Sequence, residues 1–151
     1  MTYRRTTVLF FCVIFCSMLH AQGLPINQHP VQKPLLFSSL PDKFSCSASF
    51  FEQLFVGQTG KPIVLKTGKE LQLNGMIVER VQISGKQLSI NFRCSNFQNA
   101  LLNVSRITIS DGNYRYTGRI VSPAHGDMLL LTEEDGIYSF LRKNGVLTLV
   151  E

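Results

Sequence analysis

The sequence predicts a mainly β protein of the α+β class, an antiparallel meander or small barrel of about six to eight strands with one short N-terminal helix and one disulfide. Three observations predict this class. After Lys61, short runs of β-branched and aromatic residues alternate with turn-forming pairs. Before them, a short apolar segment has helical spacing. Two cysteines are far apart in the sequence: Cys46 precedes the helical segment, and Cys94 lies among the runs after Lys61.

The N-terminal segment, residues 1–21, is predicted to be a signal peptide. Arg4 and Arg5 precede an apolar run over residues 8–19, and Ala21 supplies the small residue expected before cleavage. The run is too short to cross a membrane, which takes about 20 residues. A twin-arginine signal is the weaker alternative. We therefore expect a secreted or periplasmic protein that has no transmembrane segment after cleavage.

The next segment, residues 22–41, is predicted to be an extended arm, because it has no apolar periodicity and is rich in proline. Its prolines are Pro25, Pro30, Pro34 and Pro41. The apolar residues near its end offer an alternative in which part of the arm lies on the core. They are Leu35, Leu36, Phe37 and Leu40. The rest of the chain, residues 42–151, is long enough for a single β-rich domain.

The helix is predicted from a capping box, in which Ser49 and Glu52 each satisfy a free backbone N–H of the first turn. Gly57 suits the C-terminal stop. The apolar face that follows is expected to pack into the core rather than to hold a ligand. It consists of Phe50, Phe51, Leu54 and Phe55.

Turn-forming residues divide the remaining chain into strands. The breaks are Thr67-Gly68, Asn74-Gly75, Ser84-Gly85-Lys86, Asp111-Gly112-Asn113, residues 122–127, Glu134-Asp135-Gly136 and Asn144-Gly145. Asn74-Gly75 is either a hairpin turn or a glycine bulge within one long strand over residues 71–83. A change in apolar parity near Ser105-Arg106 predicts a second bulge. Residues 146–150 are predicted to close the sheet.

The disulfide is predicted from compartment and side-chain direction. Cys46 and Cys94 are the only cysteines left after cleavage, and an even pair in an oxidising compartment is typical of a disulfide. Alternation in the strand places Cys94 on the apolar face with Ile90 and Phe92. A redox-active pair or a metal site is the alternative, and both favour cysteines close in sequence.

Composition and motifs indicate few functions. The net charge is +5, of which Arg4 and Arg5 contribute two, so the remaining charge is too mild to indicate nucleic-acid binding. No metal-binding or cofactor-binding motif is present, and we expect none of these groups. Ser122, His125 and Asp127 are the residue types of a hydrolase triad, but one short loop rarely arranges them for catalysis.

The strongest candidate for binding is a cationic surface. Alternation places Arg115, Thr117 and Arg119 on one face of their strand, and Arg93 lies on the polar face of an earlier strand. If the faces adjoin, the arginines suit carboxylates, acidic glycans or a protein partner. The alternative is an ordinary solvated sheet face.

Short motifs in the C-terminal third allow a comparison with a known family. They are Asp111-Gly112, Tyr116-Thr117-Gly118-Arg119-Ile120, His125-Gly126-Asp127, Gly136-Ile137-Tyr138 and Lys143, with Leu40-Pro41-Asp42 and Cys46 upstream. Together they resemble small, uncharacterised secreted proteins of Bacteroidetes. The resemblance covers most of the chain after the leader and implies an exported bacterial domain, but it implies no activity.

The leading functional hypothesis is an exported, non-enzymatic binding protein, with inhibition of a periplasmic or extracellular enzyme as one form. Its partner would be a protein or an anionic surface component. The first alternative is a small hydrolase using Ser122, His125 and Asp127. The second is a structural component of the cell envelope that assembles through exposed strand edges.

Overall fold

The computed structural model of the chain describes residues 33–144, which form eight strands and one helix. In chain order these are β1 (Lys43–Cys46), α1 (Ala48–Val56), β2 (Pro62–Thr67), β3 (Leu71–Ser84), β4 (Gln87–Cys94), β5 (Leu101–Ser110), β6 (Asn113–Val121), β7 (Asp127–Glu134) and β8 (Ile137–Asn144). The predicted signal peptide, residues 22–32 of the predicted arm and the predicted strand at residues 146–150 lie outside the described residues.

All eight strands belong to one antiparallel sheet in the order β1-β8-β7-β6-β5-β4-β3-β2. Strands β2 to β8 therefore form a simple meander, and β1 joins it beside β8. The sheet curls into a half-barrel, and no pairing between β1 and β2 closes it within the described residues. The prediction of a mainly β meander with one short helix is confirmed.

The core lies between α1 and the inner face of the sheet, which we define as the face that carries the buried side chains. All four predicted apolar residues of α1 are buried. Phe51 stacks on Tyr116 of β6 with ring centroids 4.6 Å apart, and Phe50 meets Phe140 of β8 edge to face at 6.1 Å. Each such side chain contributes roughly 1.5–3 kcal/mol through burial.

The start of α1 differs from the prediction. The helix begins at Ala48, and Ser47 precedes it in extended conformation without a side-chain capping bond. Ser49 therefore lies inside the first turn, and its hydroxyl is 2.8 Å from that of Ser47. The predicted capping box was wrong because Ser47, two residues before Ser49, occupies the N-cap position.

The end of α1 agrees with the prediction, because Gly57 follows its last residue and donates its backbone N–H to the Gln53 carbonyl at 3.1 Å. Arg80 of β3 adds a contact that sequence patterns did not indicate. Its guanidinium donates to the carbonyl oxygens of Phe55 at 3.0 Å and Gly57 at 2.8 Å. A cation at this end satisfies free carbonyls and opposes the helix dipole.

The two predicted irregularities of the sheet have different outcomes. Asn74-Gly75 lies within the single long strand β3 and forms neither a hairpin turn nor a bulge, because the register shifts of β3 against β4 fall between Ile77 and Glu79 and between Gln82 and Ser84. Strand β5 pairs with β4 without interruption over residues 101–107, so the bulge predicted at Ser105-Arg106 was wrong. Apolar parity was misleading there because Ile109 lies 58% exposed rather than in the core.

The predicted disulfide is absent, because Cys46 and Cys94 are both free thiols. Both are buried, and the prediction that Cys94 faces the core is confirmed. However, β1 and β4 are five strand spacings apart in the sheet, about 24 Å along its curve. A disulfide needs Cα atoms within about 7 Å. Burial on the same face therefore did not imply proximity. In this apolar setting, burial raises the pKa of each thiol to about 12.

Candidate functional site

The structure places all four predicted binding residues on the outer face of the sheet, opposite the core. Arg93 projects from β4, and Arg115, Thr117 and Arg119 project from β6. All four are exposed to solvent. Strand β6 adopts this orientation because its intervening residues face the core, where Tyr116 and Ile120 are buried.

An amide row, which we define as Glu79, Asn91 and Asn103, leads across the outer face toward Arg119. These residues are direct cross-strand partners on β3, β4 and β5, and Asn103 is in turn the partner of Arg119 on β6. The Asn103 amide donates to the Asn91 carbonyl oxygen at 2.7 Å, and the Asn91 amide donates to the Glu79 carboxylate at 2.6 Å. These bonds fix the side chains beside Arg119 in one orientation.

A hydroxyl row, which we define as Ser89, Ser105 and Thr117, runs beside the amide row on β4, β5 and β6. Ser105 donates to Ser89 at 3.2 Å, and the Asn103 amide donates to Ser89 at the same distance. Ser105 is only 8% exposed although it lies on the outer face. The two rows therefore form one connected surface of amides and hydroxyls around Asn103.

The charges of this surface are unequally neutralised. The Arg115 guanidinium lies 3.4 Å from the Glu133 carboxylate, so part of its charge is compensated. Arg93 and Arg119 form no ion pair with any residue in the described range 33–144. From the pairing register, these two arginines are separated by two strands and two residues along the strand, roughly 10 Å by 7 Å.

Sequence patterns indicated only part of this surface. Alternation along β4 places Ser89, Asn91 and Arg93 on the polar side, but it does not show which residues of β5 lie opposite them. Asn103 and Ser105 belong to a formal glycosylation sequon. In the structure the Asn103 amide nitrogen already donates two hydrogen bonds within a central strand.

The loop that contains Ser122 and His125 brings these two residues into contact. The Ser122 hydroxyl lies 2.8 Å from Nδ1 of His125, and the His125 backbone N–H donates to the Ser122 carbonyl at 3.1 Å. The contact thus belongs to a tight turn. Ser122 is only 7% exposed, so its hydroxyl has little access to a substrate.

Asp127, the third residue of the alternative hydrolase hypothesis, binds elsewhere. Its two carboxylate oxygens accept the backbone N–H groups of Leu36 at 2.7 Å and Phe37 at 2.8 Å. Phe37 is fully buried and lies 5.6 Å from the Phe97 ring, measured between centroids. The described end of the predicted arm is therefore attached to the domain, and Asp127 is one of the groups that hold it.

Other contacts hold the same segment against the domain. Gly126 donates its backbone N–H to the Pro34 carbonyl at 3.0 Å. The Arg142 guanidinium donates to the Phe37 carbonyl at 3.1 Å and pairs with the Asp42 carboxylate at 2.5 Å. The loop after β6 and strand β8 thus both hold residues 33–42.

Residues 33–144 contain no group of three or more His, Cys, Asp or Glu side chains arranged to hold a metal ion. Their one helix, with nine residues, is too short to span a bilayer. Comparisons of the chain with protein-family models, with curated proteins and with solved structures found no match. The functional proposal is therefore based on the geometry of the outer face.

Proposed function

We propose that this chain is an exported, non-enzymatic bacterial binding protein that recognises an anionic partner through the outer face of its sheet. The observation that carries the proposal is the position of Arg93 and Arg119. Both guanidinium groups are exposed beside a hydrogen-bonded polar surface, and neither is neutralised by a described residue. Guanidinium groups in this state bind carboxylates through strong, often bidentate hydrogen bonds.

The rigid support of this surface also favours recognition. Asn103 is fixed by its bonds to Asn91 and Ser89, so little side-chain entropy is lost when a partner binds beside it. Inhibition of a periplasmic or extracellular enzyme is one form that this binding would take. The apolar leader at residues 1–21 supports action outside the cytoplasm.

The test is capture of a partner from an envelope or culture extract by the immobilised mature protein. We expect the double variant Arg93→Glu with Arg119→Glu to lose the captured partner, because charge reversal repels an anion. The matched control is Lys66→Glu with Lys69→Glu, which changes the net charge equally at exposed positions on β2 and the next turn. Equal capture by wild type and both double variants would refute the proposal.

A small hydrolase is the second candidate, favoured by the 2.8 Å contact between Ser122 and His125. It would act without Asp127 as the orienting carboxylate, because both oxygens of Asp127 bind backbone N–H groups. The binding proposal implies that a fluorophosphonate probe leaves Ser122 unlabelled. Labelling of wild type that disappears in Ser122→Ala would favour the hydrolase instead.

A further inference from the structure

We propose that the outer face binds a carboxylated polysaccharide, with the ligand carboxylate on Arg119 and ligand hydroxyls on Asn103 and the hydroxyl row. This inference rests on the proposed function and names the class of its partner. It follows from the hydrogen-bonding groups that remain free around Asn103 once the internal bonds of the two rows are counted.

Asn103 offers a hydrogen-bond acceptor on the outer face. Its amide nitrogen donates to Asn91 and Ser89, and both of these residues lie on β4. The carbonyl oxygen of the same planar amide therefore points away from β4, and it makes no hydrogen bond with a residue of the described range 33–144. A ligand hydroxyl near β6 would find a fixed acceptor there.

Hydrogen-bond donors lie beside that acceptor. Arg119 lies directly opposite Asn103, and Thr117 lies directly opposite Ser105. The Arg119 guanidinium supplies several N–H donors in a fork that matches a carboxylate, while the Thr117 hydroxyl donates or accepts. Donors, acceptors and a positive charge thus meet within one pair of neighbouring strands.

Both an acidic glycan and an acidic polypeptide carry carboxylates that could meet the outer face. An acidic polypeptide needs mainly cations, and the outer face would satisfy it through Arg93 and Arg119 alone. The amides and hydroxyls across β4, β5 and β6, several of them fixed by hydrogen bonds, supply what a polyhydroxylated ligand needs in addition. This combination favours a polymer whose repeating unit carries both a carboxylate and hydroxyl groups.

The experiment is affinity electrophoresis of the mature protein in gels that contain one of three polymers at about physiological ionic strength, where long-range attraction is screened. The polymers are polygalacturonate, the same polymer with its carboxyl groups reduced, and poly-L-glutamate. We expect polygalacturonate to retard the protein most, because only this polymer combines carboxylates with sugar hydroxyls.

Variants then test the residues. Loss of a charge-assisted hydrogen bond in Arg119→Ala should weaken binding to polygalacturonate about 10- to 100-fold, and loss of a neutral one in Asn103→Ala about 2- to 10-fold. Lys69→Ala removes an exposed positive charge from a distant turn and should bind as wild type does. Circular dichroism of each variant shows whether the fold is retained. Binding of Thr117→Val to polygalacturonate tests the hydroxyl row, because Thr117 is its exposed member on β6.

The outcomes separate this inference from the proposed function. Equal retardation by poly-L-glutamate would overturn the assignment of a glycan ligand and leave an anion-binding face. Equal retardation by the reduced polymer would overturn the role of the carboxylate. Absence of retardation, together with arginine-dependent capture from extract, would overturn the glycan alone. Absence of retardation and of arginine-dependent capture would overturn the inference and the proposed function together.

Discussion

The backbone N–H of Tyr116 donates a hydrogen bond to the phenolic oxygen of Tyr138, with the two atoms 3.1 Å apart. This contact lies where β6 and β7 diverge, since these strands pair only from Arg119 to Val121. A side chain of β8 thus satisfies a backbone donor of β6 that the sheet leaves free. Phe51 of α1 stacks on Tyr116 and meets Tyr138 edge to face, which buries the whole group.

Removing this hydroxyl should destabilise the fold. Tyr138→Phe leaves the buried Tyr116 N–H without its acceptor, and we expect the free energy of unfolding to fall by about 1–3 kcal/mol. Urea denaturation followed by circular dichroism measures the change. Tyr114→Phe is the matched control, because Tyr114 is 41% exposed. Equal stability of Tyr138→Phe and wild type would show that water or another group replaces the hydroxyl.

The carboxylate of Asp127 should be needed to attach residues 33–42. Asp127→Asn replaces a charged acceptor of two backbone N–H groups by a neutral side chain, and we expect a loss of about 1.5–3 kcal/mol. Limited proteolysis should then cut near Leu36 faster than in wild type. Asp111→Asn changes the same group in an exposed turn and should leave both readouts unchanged. Unchanged proteolysis of Asp127→Asn would contradict this role.

Gly118 should be required for the spacing of β5 and β6 beneath the candidate site. A Cβ at this position would collide with the backbone carbonyl oxygen of Asn103, which a strand cannot move freely. We expect Gly118→Ala to destabilise the protein by roughly 1–3 kcal/mol. Gly85→Ala is the control, because a Cβ there meets no atom within 4 Å. Thermal denaturation that gives both variants the same midpoint would disprove this requirement.

The thiols of Cys46 and Cys94 should be reduced and unreactive in the folded protein. Burial raises the pKa of each from 9.0 to about 12, so little thiolate forms at pH 8. Iodoacetamide should therefore modify neither residue before unfolding and both after unfolding without reductant. Mass spectrometry counts the adducts. Two cysteines that resist alkylation until a reductant is added would reveal a disulfide and contradict the structure.

The same shifts predict how stability depends on pH. Above pH 9 the unfolded chain releases the thiol protons, while the folded chain retains them up to about pH 12. The folded state therefore binds more protons in this window, and its stability should fall as pH rises, by about 1.4 kcal/mol per pH unit for each thiol. Cys46→Ala should reduce the dependence of stability on pH by the contribution of one thiol. An unchanged dependence would contradict the raised pKa of Cys46.

Much of the fold follows from local patterns in the sequence. Turn residues such as Asp111-Gly112 separate strands correctly, and alternation places Tyr116 and Ile120 on the face opposite the arginines, where both are buried. Gly57 ends the helix as expected because its position depends only on neighbouring residues. These features are determined within one element, so the sequence carries them directly.

Relations between distant residues could not be predicted in the same way. Alternation shows that Cys94 faces the core, and Cys46 is buried as well, but sheet order, which follows from the whole meander, separates them. The pairing of Asn103 with Arg119 likewise depends on the register of β5 and β6, which neither strand specifies alone. The candidate site was therefore predicted as arginines on one face, without the amide and hydroxyl rows that support them.

The most direct test of the central claim is arginine footprinting of the complex captured from extract. Phenylglyoxal modification and mass spectrometry measure the reactivity of each arginine with and without the partner. We predict that Arg93 and Arg119 are reactive in the free protein and become protected in the complex. Arg80, whose guanidinium binds two carbonyl oxygens, should react slowly in both. Unchanged reactivity of Arg93 and Arg119 in a captured complex would contradict recognition through the outer face.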